Sequence, residues 1–205
     1  MTKFKLCGLR SIEDIEIANR YHPDYVGFVF APSKRQVTKE QAKKLITQLN
    51  PAILPVGVFV NTPLEELLEI SHTARLKVIQ LHGEESPELI EQLKQNSSCE
   101  VWKAIRVKNE QSVENIERYH ADRYLMDTYQ PGEYGGSGKQ FQWELIQHLP
   151  KERLILAGGL NRKNLIEAVT TVRPYAVDLS SGAETDGHKD ESKVKQLIEL
   201  MKGVS

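Results

Sequence analysis

The sequence contains only two cysteines, Cys7 and Cys99, too few for the disulfide framework that stabilises many secreted domains. No apolar run approaches the ~18 residues that suggest a membrane-spanning helix. Residues 1–7 also lack the apolar stretch and small-residue cleavage site of a signal peptide. Together these absences predict a cytoplasmic protein with no membrane association.

An excess of charge of one sign is also missing. The 27 basic residues nearly balance the 28 acidic ones, giving a formal net charge of −1, so no basic footprint for nucleic acid is present. The six histidines form no recognised ligand spacing, and we predict no metal site. A chain of 205 residues, 40% of them hydrophobic, is expected to fold around one core as a single domain spanning 1–205.

What the sequence does contain is a regular alternation of two kinds of segment. Short runs rich in β-branched or aromatic residues predict strands at 4–7, 25–30, 54–60, 77–81, 101–105, 123–127, 153–157 and 175–179. Apolar residues near every third or fourth position predict helices at 12–21, 39–49, 64–74, 87–95, 111–120, 142–148, 162–172 and 192–201.

Eight strand–helix pairs predict an α/β fold of the (β/α)₈ type, the TIM barrel. An open doubly wound sheet is the alternative. The barrel is favoured because the count is eight, the connections are short, and no Gly-x-Gly-x-x-Gly follows the first strand. In such barrels the chemistry lies at the carboxyl ends of the strands, so residues there are the candidates for a functional site.

Two glycine-containing loops follow the last two predicted strands. Gly158 and Gly159 come after the seventh strand, and Ser181 and Gly182 come after the eighth. Loops seven and eight of this fold commonly bind phosphate through backbone N–H groups, and glycine permits close approach. We therefore predict a small phosphorylated ligand, the alternative being that these glycines only make tight turns. The glycine-rich segment 129–139 is either a closing lid or an irregular solvated loop.

Several short motifs along the whole chain resemble those of the phosphoribosylanthranilate isomerase family. They are Lys5-Leu6-Cys7-Gly8, Val26-Gly27-Phe28-Val29-Phe30 with Ser33-x-Arg35, Val56-Gly57-Val58-Phe59-Val60-Asn61, Gln80-Leu81-His82-Gly83-Glu84, Leu125-Met126-Asp127, Tyr134-Gly135-Gly136-Ser137-Gly138-Lys139, Ala157-Gly158-Gly159-Leu160 and Asp178-Leu179-Ser180-Ser181-Gly182. Each motif alone is weak evidence, but their combination in order is specific. Gln142 and Ala183 depart from the usual family residues and lie outside the matched catalytic positions.

The resemblance implies an Amadori rearrangement of N-(5-phosphoribosyl)anthranilate in tryptophan biosynthesis, with no metal or organic cofactor. It implies that Asp127 is the general acid, that Cys7 is the general base, and that Arg35 binds the anthranilate carboxylate. The side chains expected to line the substrate pocket beside them are Gln80, His82 and Asp178.

Both catalytic roles require shifted proton affinities. An ordinary Asp has a pKa near ~3.9 and an ordinary Cys near ~8.5, so burial is expected to raise the first and a nearby cation to lower the second. Because strand side chains alternate, we expect Lys5 to point into the barrel with Cys7 and to pair with Asp178 on the neighbouring eighth strand.

Other readings stay open. A cysteine after an apolar strand is often only a small buried hydrophobic residue, and an Asp at a strand end is often a turn residue. Lys103 could suggest Schiff-base chemistry, although such a lysine more often pairs with a carboxylate.

The rival functions are another phosphate-binding barrel enzyme, such as a sugar-phosphate epimerase or the related histidine-pathway isomerase, and a non-catalytic barrel that binds a phosphometabolite. The sequence does not distinguish a monomer from a homodimer.

Overall fold

A closed barrel of eight parallel strands forms the centre of the molecule. The computed structural model describes residues 1–128 and 141–204. The strands pair in chain order, and the first also pairs with the eighth, which closes the ring and confirms the predicted (β/α)₈ barrel. They are β1 Lys3–Cys7, β2 Tyr25–Val29, β3 Leu54–Phe59, β4 Val78–Leu81, β5 Glu100–Val107, β6 Arg123–Thr128, β7 Leu154–Leu156 and β8 Ala176–Leu179.

Helices surround the barrel and connect successive strands. They are α1 Ile12–Tyr21, α2 Lys39–Ile46, α3 Leu64–Thr73, α4 Pro87–Asn96, α5 Leu165–Val172 and α6 Glu191–Gly203. Local capping sets where the first two begin. Ser11 and Asp14 form a capping box at the start of α1, and Thr38 and Gln41 form another at the start of α2.

Two predicted helices are shorter and tighter than expected. The segment predicted as a helix at 111–120 contains two 3₁₀ turns, Glu110–Ser112 and Ile116–Tyr119, and the segment at 142–148 contains one, Trp143–Ile146. Asn115 lies between the first two turns with a left-handed φ of 54°, which an α-helix does not accommodate. Its short amide side chain tolerates that conformation, so the apolar spacing there does not produce an α-helix.

The seventh predicted helix begins three residues later than expected. The side-chain oxygen of Asn161 accepts a hydrogen bond from the backbone N–H of Lys163. The side-chain oxygen of Asn164 accepts one from the backbone N–H of Asn161. These local bonds compete with the helical ladder, and α5 begins only at Leu165.

Alternation along the strands divides the apolar residues into two cores. Outward-facing residues such as Leu6 and Phe28 pack between the barrel and the helices. Inward-facing residues form a second core, the barrel floor, which comprises Tyr25, Val56, Val78, Trp102, Ala104, Leu125, Ile155, Ala157 and Ala176. Within the floor the rings of Tyr25 and Trp102 meet edge to face at 5.0 Å. The inward side chains nearer the carboxyl ends are more polar, and the site is built from them.

A short hairpin follows β8 and leads into α6. Its strands are β9 Glu184–Thr185 and β10 His188–Lys189, joined through Asp186 and Gly187, which have φ angles of 51° and 78°. Two consecutive positive φ angles are typical of the tight turn that an Asp-Gly pair favours. The hairpin pairs Glu184 with Lys189 and places both beside the carboxyl ends of the barrel.

In the part of the chain that the structure describes, no helix is long and apolar enough to cross a bilayer. The predicted lid or loop at 129–139 lies outside the described residues.

Candidate active site

A cavity of about 340 Å³ opens at the carboxyl ends of the strands. Nine of the ten side chains or glycines that the sequence predicted for the site line it: Cys7, Arg35, Gln80, His82, Asp127, Gly158, Gly159, Asp178 and Ser181. The tenth, Gly182, lies behind this lining. A Cβ added to Gly182 would overlap the carbonyl oxygen of Leu160, so the glycine lets loop eight approach loop seven closely.

Cys7 lies at the end of β1 above a buried ion pair. The ammonium of Lys5 is 2.9 Å from a carboxylate oxygen of Asp178 on β8, where the register places the two residues side by side. Lys5 is fully buried, and only 9% of the Asp178 side chain is exposed. The predicted pairing of Lys5 with Asp178 is therefore confirmed.

Burial raises the pKa of the Cys7 thiol above its ordinary value. Lys5 and Lys189 act in the opposite direction, and the charge of Asp178 adds to the increase. The expectation that a nearby cation would lower the pKa of Cys7 was wrong in its net direction. The cation is present, but burial at the end of β1 outweighs it. The pKa of Lys5 is also shifted; burial lowers it, but Asp178 and Cys7 outweigh burial and the net change is upward.

The position of the sulfur depends on a glycine in the neighbouring strand. Gly27 pairs with Cys7 in the β1–β2 register, and a Cβ added there would lie 2.6 Å from the Cys7 sulfur. That distance is far below normal contact, so only glycine leaves the thiol in its present place.

Asp127 ends β6 and is held in a buried chain of polar contacts. Its Oδ2 is 3.2 Å from Nε2 of His82, and its Oδ1 accepts a hydrogen bond from the backbone N–H of Thr128 at 2.8 Å. The amide nitrogen of Gln80 is 3.0 Å from Nδ1 of His82. The tautomer with its proton on Nε2 satisfies both contacts, because Nδ1 then accepts from Gln80 and Nε2 donates to Asp127.

Loop seven passes directly beside this carboxylate. Gly158 has a φ of 83°, and a Cβ there would lie 3.1 Å from Oδ1 of Asp127 and would overlap Thr128. Gly159 has a φ of 67°, also in the region that favours glycine. These two positions let the backbone of loop seven border the cavity opposite Ser181 of loop eight.

Arg35 enters the cavity from the loop that follows β2, and it is fixed by the carboxylate of Glu184, which was not among the predicted site residues. Glu184 accepts two hydrogen bonds from it, from Nε at 2.8 Å and from Nη2 at 2.7 Å. Lys189 donates to the same carboxylate at 2.6 Å and to the carbonyl oxygen of Ser180 at 3.3 Å. The stem of Arg35 lies over Gly8, where a Cβ would overlap it.

The two cations determine the ionisation of Glu184. Burial acts to raise the pKa of Glu184, but hydrogen bonds from Arg35 and the charge of Lys189 outweigh it and lower the pKa to about 2. For Lys189 burial is the largest influence, and its pKa falls below the ordinary value. Glu184 and Lys189 were both missed. The Asp186-Gly187 pair between them is a hairpin signal that could have placed them side by side.

Lys103 lies on the outside of the barrel wall rather than in the cavity. It is 2% exposed, donates to the carbonyl oxygen of Gly83 at 2.7 Å and pairs with Glu85 at 2.9 Å. Glu85 also accepts hydrogen bonds from the backbone N–H groups of Asn61 and Gly83. This arrangement ties the ends of β3 and β4 together behind His82, and it agrees with the carboxylate-paired reading of Lys103.

Fold and site together define the protein class: a (β/α)₈-barrel protein with a cavity of about 340 Å³, lined by both polar and apolar residues, at the carboxyl ends of its strands. Among residues 1–128 and 141–204, no group of three His, Cys, Asp or Glu side chains is arranged to hold a metal ion.

Comparison with known proteins narrows this class to one family. A family model described as N-(5'-phosphoribosyl)anthranilate (PRA) isomerase matches residues 4–200. The isomerase of that name from a Thermoanaerobacter species is 49% identical over 205 residues and covers 100% of both chains. This chain therefore belongs to the N-(5'-phosphoribosyl)anthranilate isomerase family, the isomerases of tryptophan biosynthesis.

Solved structures agree with that assignment. The monomers generated from the dimeric phosphoribosylanthranilate isomerase of Thermotoga maritima superpose with a TM-score of 0.86 at 38% identity, covering 99% of this chain and 100% of that one. A phosphoribosylanthranilate isomerase in complex with reduced 1-(o-carboxyphenylamino)-1-deoxyribulose 5-phosphate also gives a TM-score of 0.86 at 38% identity, with the same coverage of both chains.

Proposed function

We propose that Cys7 and Asp127 are the general base and the general acid of the isomerase reaction, which converts N-(5'-phosphoribosyl)anthranilate to 1-(o-carboxyphenylamino)-1-deoxyribulose 5-phosphate. The isomerase activity itself follows from membership of the family. The observation that carries the assignment of the residues is that the sulfur of β1 and the carboxyl group of β6 line one cavity. Strands one and six are three steps apart around the ring, so a sugar between them is reached from two sides.

The chemistry needs two proton transfers and no external electron sink. Asp127, carrying its proton, gives it to the ribose ring oxygen as the bond from that oxygen to the anomeric carbon breaks. The anthranilate nitrogen supplies the electron pair, and an iminium ion forms. Cys7, as the thiolate, then removes the proton from the neighbouring carbon. The resulting enolamine tautomerises to the ketone, so the reaction is an isomerisation with no cofactor. Each positioned group contributes roughly 10²–10⁴-fold.

Substrate binding is assigned to the two ends of the cavity. The phosphate lies between loops seven and eight, at Gly158, Gly159, Ser181 and Gly182, where glycine permits backbone N–H groups to approach an anion. The anthranilate carboxylate binds Arg35, whose planar fork suits a carboxylate.

Three further side chains contact the sugar or orient the catalytic pair. His82 contacts Asp127 directly, and Gln80 orients His82 from its other ring nitrogen. Asp178 keeps Lys5 charged beneath Cys7, which partly offsets the effect of burial on the thiol.

The proposed oligomeric state and cellular compartment are those that the sequence predicts. The T. maritima relative is described both as a dimer and as monomers generated from it, so this chain is assigned as a monomer or a homodimer. Both cysteines are free, in keeping with a reducing compartment, and the cytoplasm is the proposed location.

The test measures the loss of phosphoribosylanthranilate fluorescence with the wild-type chain, Cys7→Ser and Asp127→Asn. We expect turnover by the wild type and a decrease in kcat of roughly 10²-fold or more in each variant. Cys99→Ser is the matched control, because Cys99 lies at the opposite rim beside β5, and it is expected to keep full activity. Absence of wild-type turnover would favour a non-catalytic phosphate-binding barrel. Unchanged kcat in the first two variants would remove the proposed roles.

A further inference from the structure

We infer that Glu184 is a positioning residue that holds the guanidinium of Arg35 in the orientation required for a carboxylate on the substrate. The inference rests on the proposed function, because it takes the anthranilate carboxylate as the ligand of Arg35. It adds a residue on the β9–β10 hairpin that belongs to none of the motifs identified in the sequence.

Glu184 occupies one edge of the Arg35 guanidinium and leaves another edge for a ligand. Arg35 has five N–H donors in a rigid plane, and Glu184 uses the edge formed by Nε and Nη2. The two terminal nitrogens keep three N–H groups, and the two that point along their common edge are enough for a second two-point contact with a carboxylate. Because Arg35 lines the cavity, that second edge is the one available to a ligand there.

Glu184 and Arg35 are both held firmly by their surroundings. The Glu184 side chain is 6% exposed and is held from both sides, since Lys189 donates to its carboxylate and Lys193 of α6 donates to its backbone carbonyl at 2.6 Å. The stem of Arg35 packs over Gly8, in space that a side chain there would fill. An arginine already held by a two-point ion pair loses less conformational entropy when it binds a ligand than a free surface arginine does.

Glu184 also sets the net charge beside the cavity. Glu184 is the only acid that Arg35 and Lys189 share in the hydrogen bonds of the described residues, so the three groups together hold a net charge of +1. Without Glu184 the two cations would repel each other, and Arg35 would swing towards solvent. With it, one positive charge stays at the cavity and attracts an anionic group.

The experiment compares two ligands that differ only in the carboxylate. One is reduced 1-(o-carboxyphenylamino)-1-deoxyribulose 5-phosphate, and the other is the same compound with an unsubstituted phenyl ring. Calorimetric titration gives the ratio of their dissociation constants for the wild type, Arg35→Met, Glu184→Gln and Glu184→Asp. Glu191→Gln serves as the matched control, because it removes the acid of another arginine pair, with Arg20, on the surface between α1 and α6.

We expect the wild type and Glu191→Gln to prefer the carboxylated ligand by about tenfold or more. Glu184→Gln should lose most of that preference while binding the phenyl compound as the wild type does, and Glu184→Asp should restore part of it. In the Arg35→Met background, Glu184→Gln should change the ratio no further, because one residue acts through the other.

Three results would overturn the inference. A Glu184→Gln variant that keeps the full preference would show that Arg35 needs no partner. A variant that binds the carboxylated ligand more tightly would show that Glu184 competes with the substrate. Equal weakening of both ligands would show a merely structural effect. If instead the wild type has no preference for the carboxylate, the proposed role of Arg35 itself fails, and with it the inference.

Discussion

Replacing Gly27 by alanine tests whether the position of the Cys7 sulfur limits the reaction. The added Cβ would lie 2.6 Å from the sulfur and 3.2 Å from the Cα of Cys7. Normal contact between such atoms is about 3.5–4.0 Å, so the thiol must move by about 1 Å. A misplacement of that size can lower a rate by ~10²-fold. Crowding of this kind also lowers the free energy of unfolding by about 1–3 kcal/mol.

The assay is kcat from the decay of substrate fluorescence, together with urea unfolding of the same variant. Gly57→Ala is the matched control, because Gly57 is also a strand glycine and a Cβ there would lie 2.6 Å from the ring of Phe59, outside the barrel wall. We expect both variants to lose similar stability and only Gly27→Ala to lose activity. A kcat of Gly27→Ala within about twofold of the wild type would refute the reasoning that the sulfur is held in a working position.

Three further predictions concern the buried charges. Lys5→Met leaves a buried carboxylate without its cation and is expected to cost about 3–5 kcal/mol in unfolding free energy. It also removes a charge that lowers the pKa of Cys7, so the midpoint of thiol alkylation should move to higher pH, and a downward shift would contradict this. For Glu184 the pKa is lowered from 4.5 to about 2, so its ionised form stabilises the fold above pH 4.5 and that contribution is lost as the pH falls towards 2. The difference in unfolding free energy between wild type and Glu184→Gln should be roughly 2 kcal/mol at neutral pH, allowing for screening, and should shrink in acid; a difference independent of pH would disprove the linkage. Lys103→Met should cost about 3–5 kcal/mol in stability, and borohydride reduction in the presence of substrate should trap no adduct on Lys103.

The parts of the site that follow from regular repetition could be predicted from the sequence. Alternation along β1 puts Lys5 and Cys7 on the same face, and barrel closure makes β8 the neighbour of β1. These two facts bring Lys5 to Asp178, as observed. The same regularity placed Asp127 at the cavity, because strand ends meet at one rim.

What sequence reasoning missed depends on irregular segments and on the degree of burial. The contact between Arg35 and Glu184 joins residues 149 positions apart through a loop and a hairpin, neither of which has a fixed place in the barrel repeat. The helix predicted at 111–120 was wrong because the left-handed conformation of Asn115 interrupts it. The net direction of the Cys7 pKa depends on how completely the sulfur is buried, a quantity that residue spacing does not give.

The packed floor of the barrel determines how substrate and product reach and leave the cavity. Trp102, Tyr25 and their neighbours fill the amino-terminal half, so molecules reach the cavity from the opposite rim. Substrate binding and product release therefore use the same opening, and a product molecule that remains bound excludes the next substrate. The product is therefore expected to inhibit competitively with the substrate, because both must occupy the same cavity.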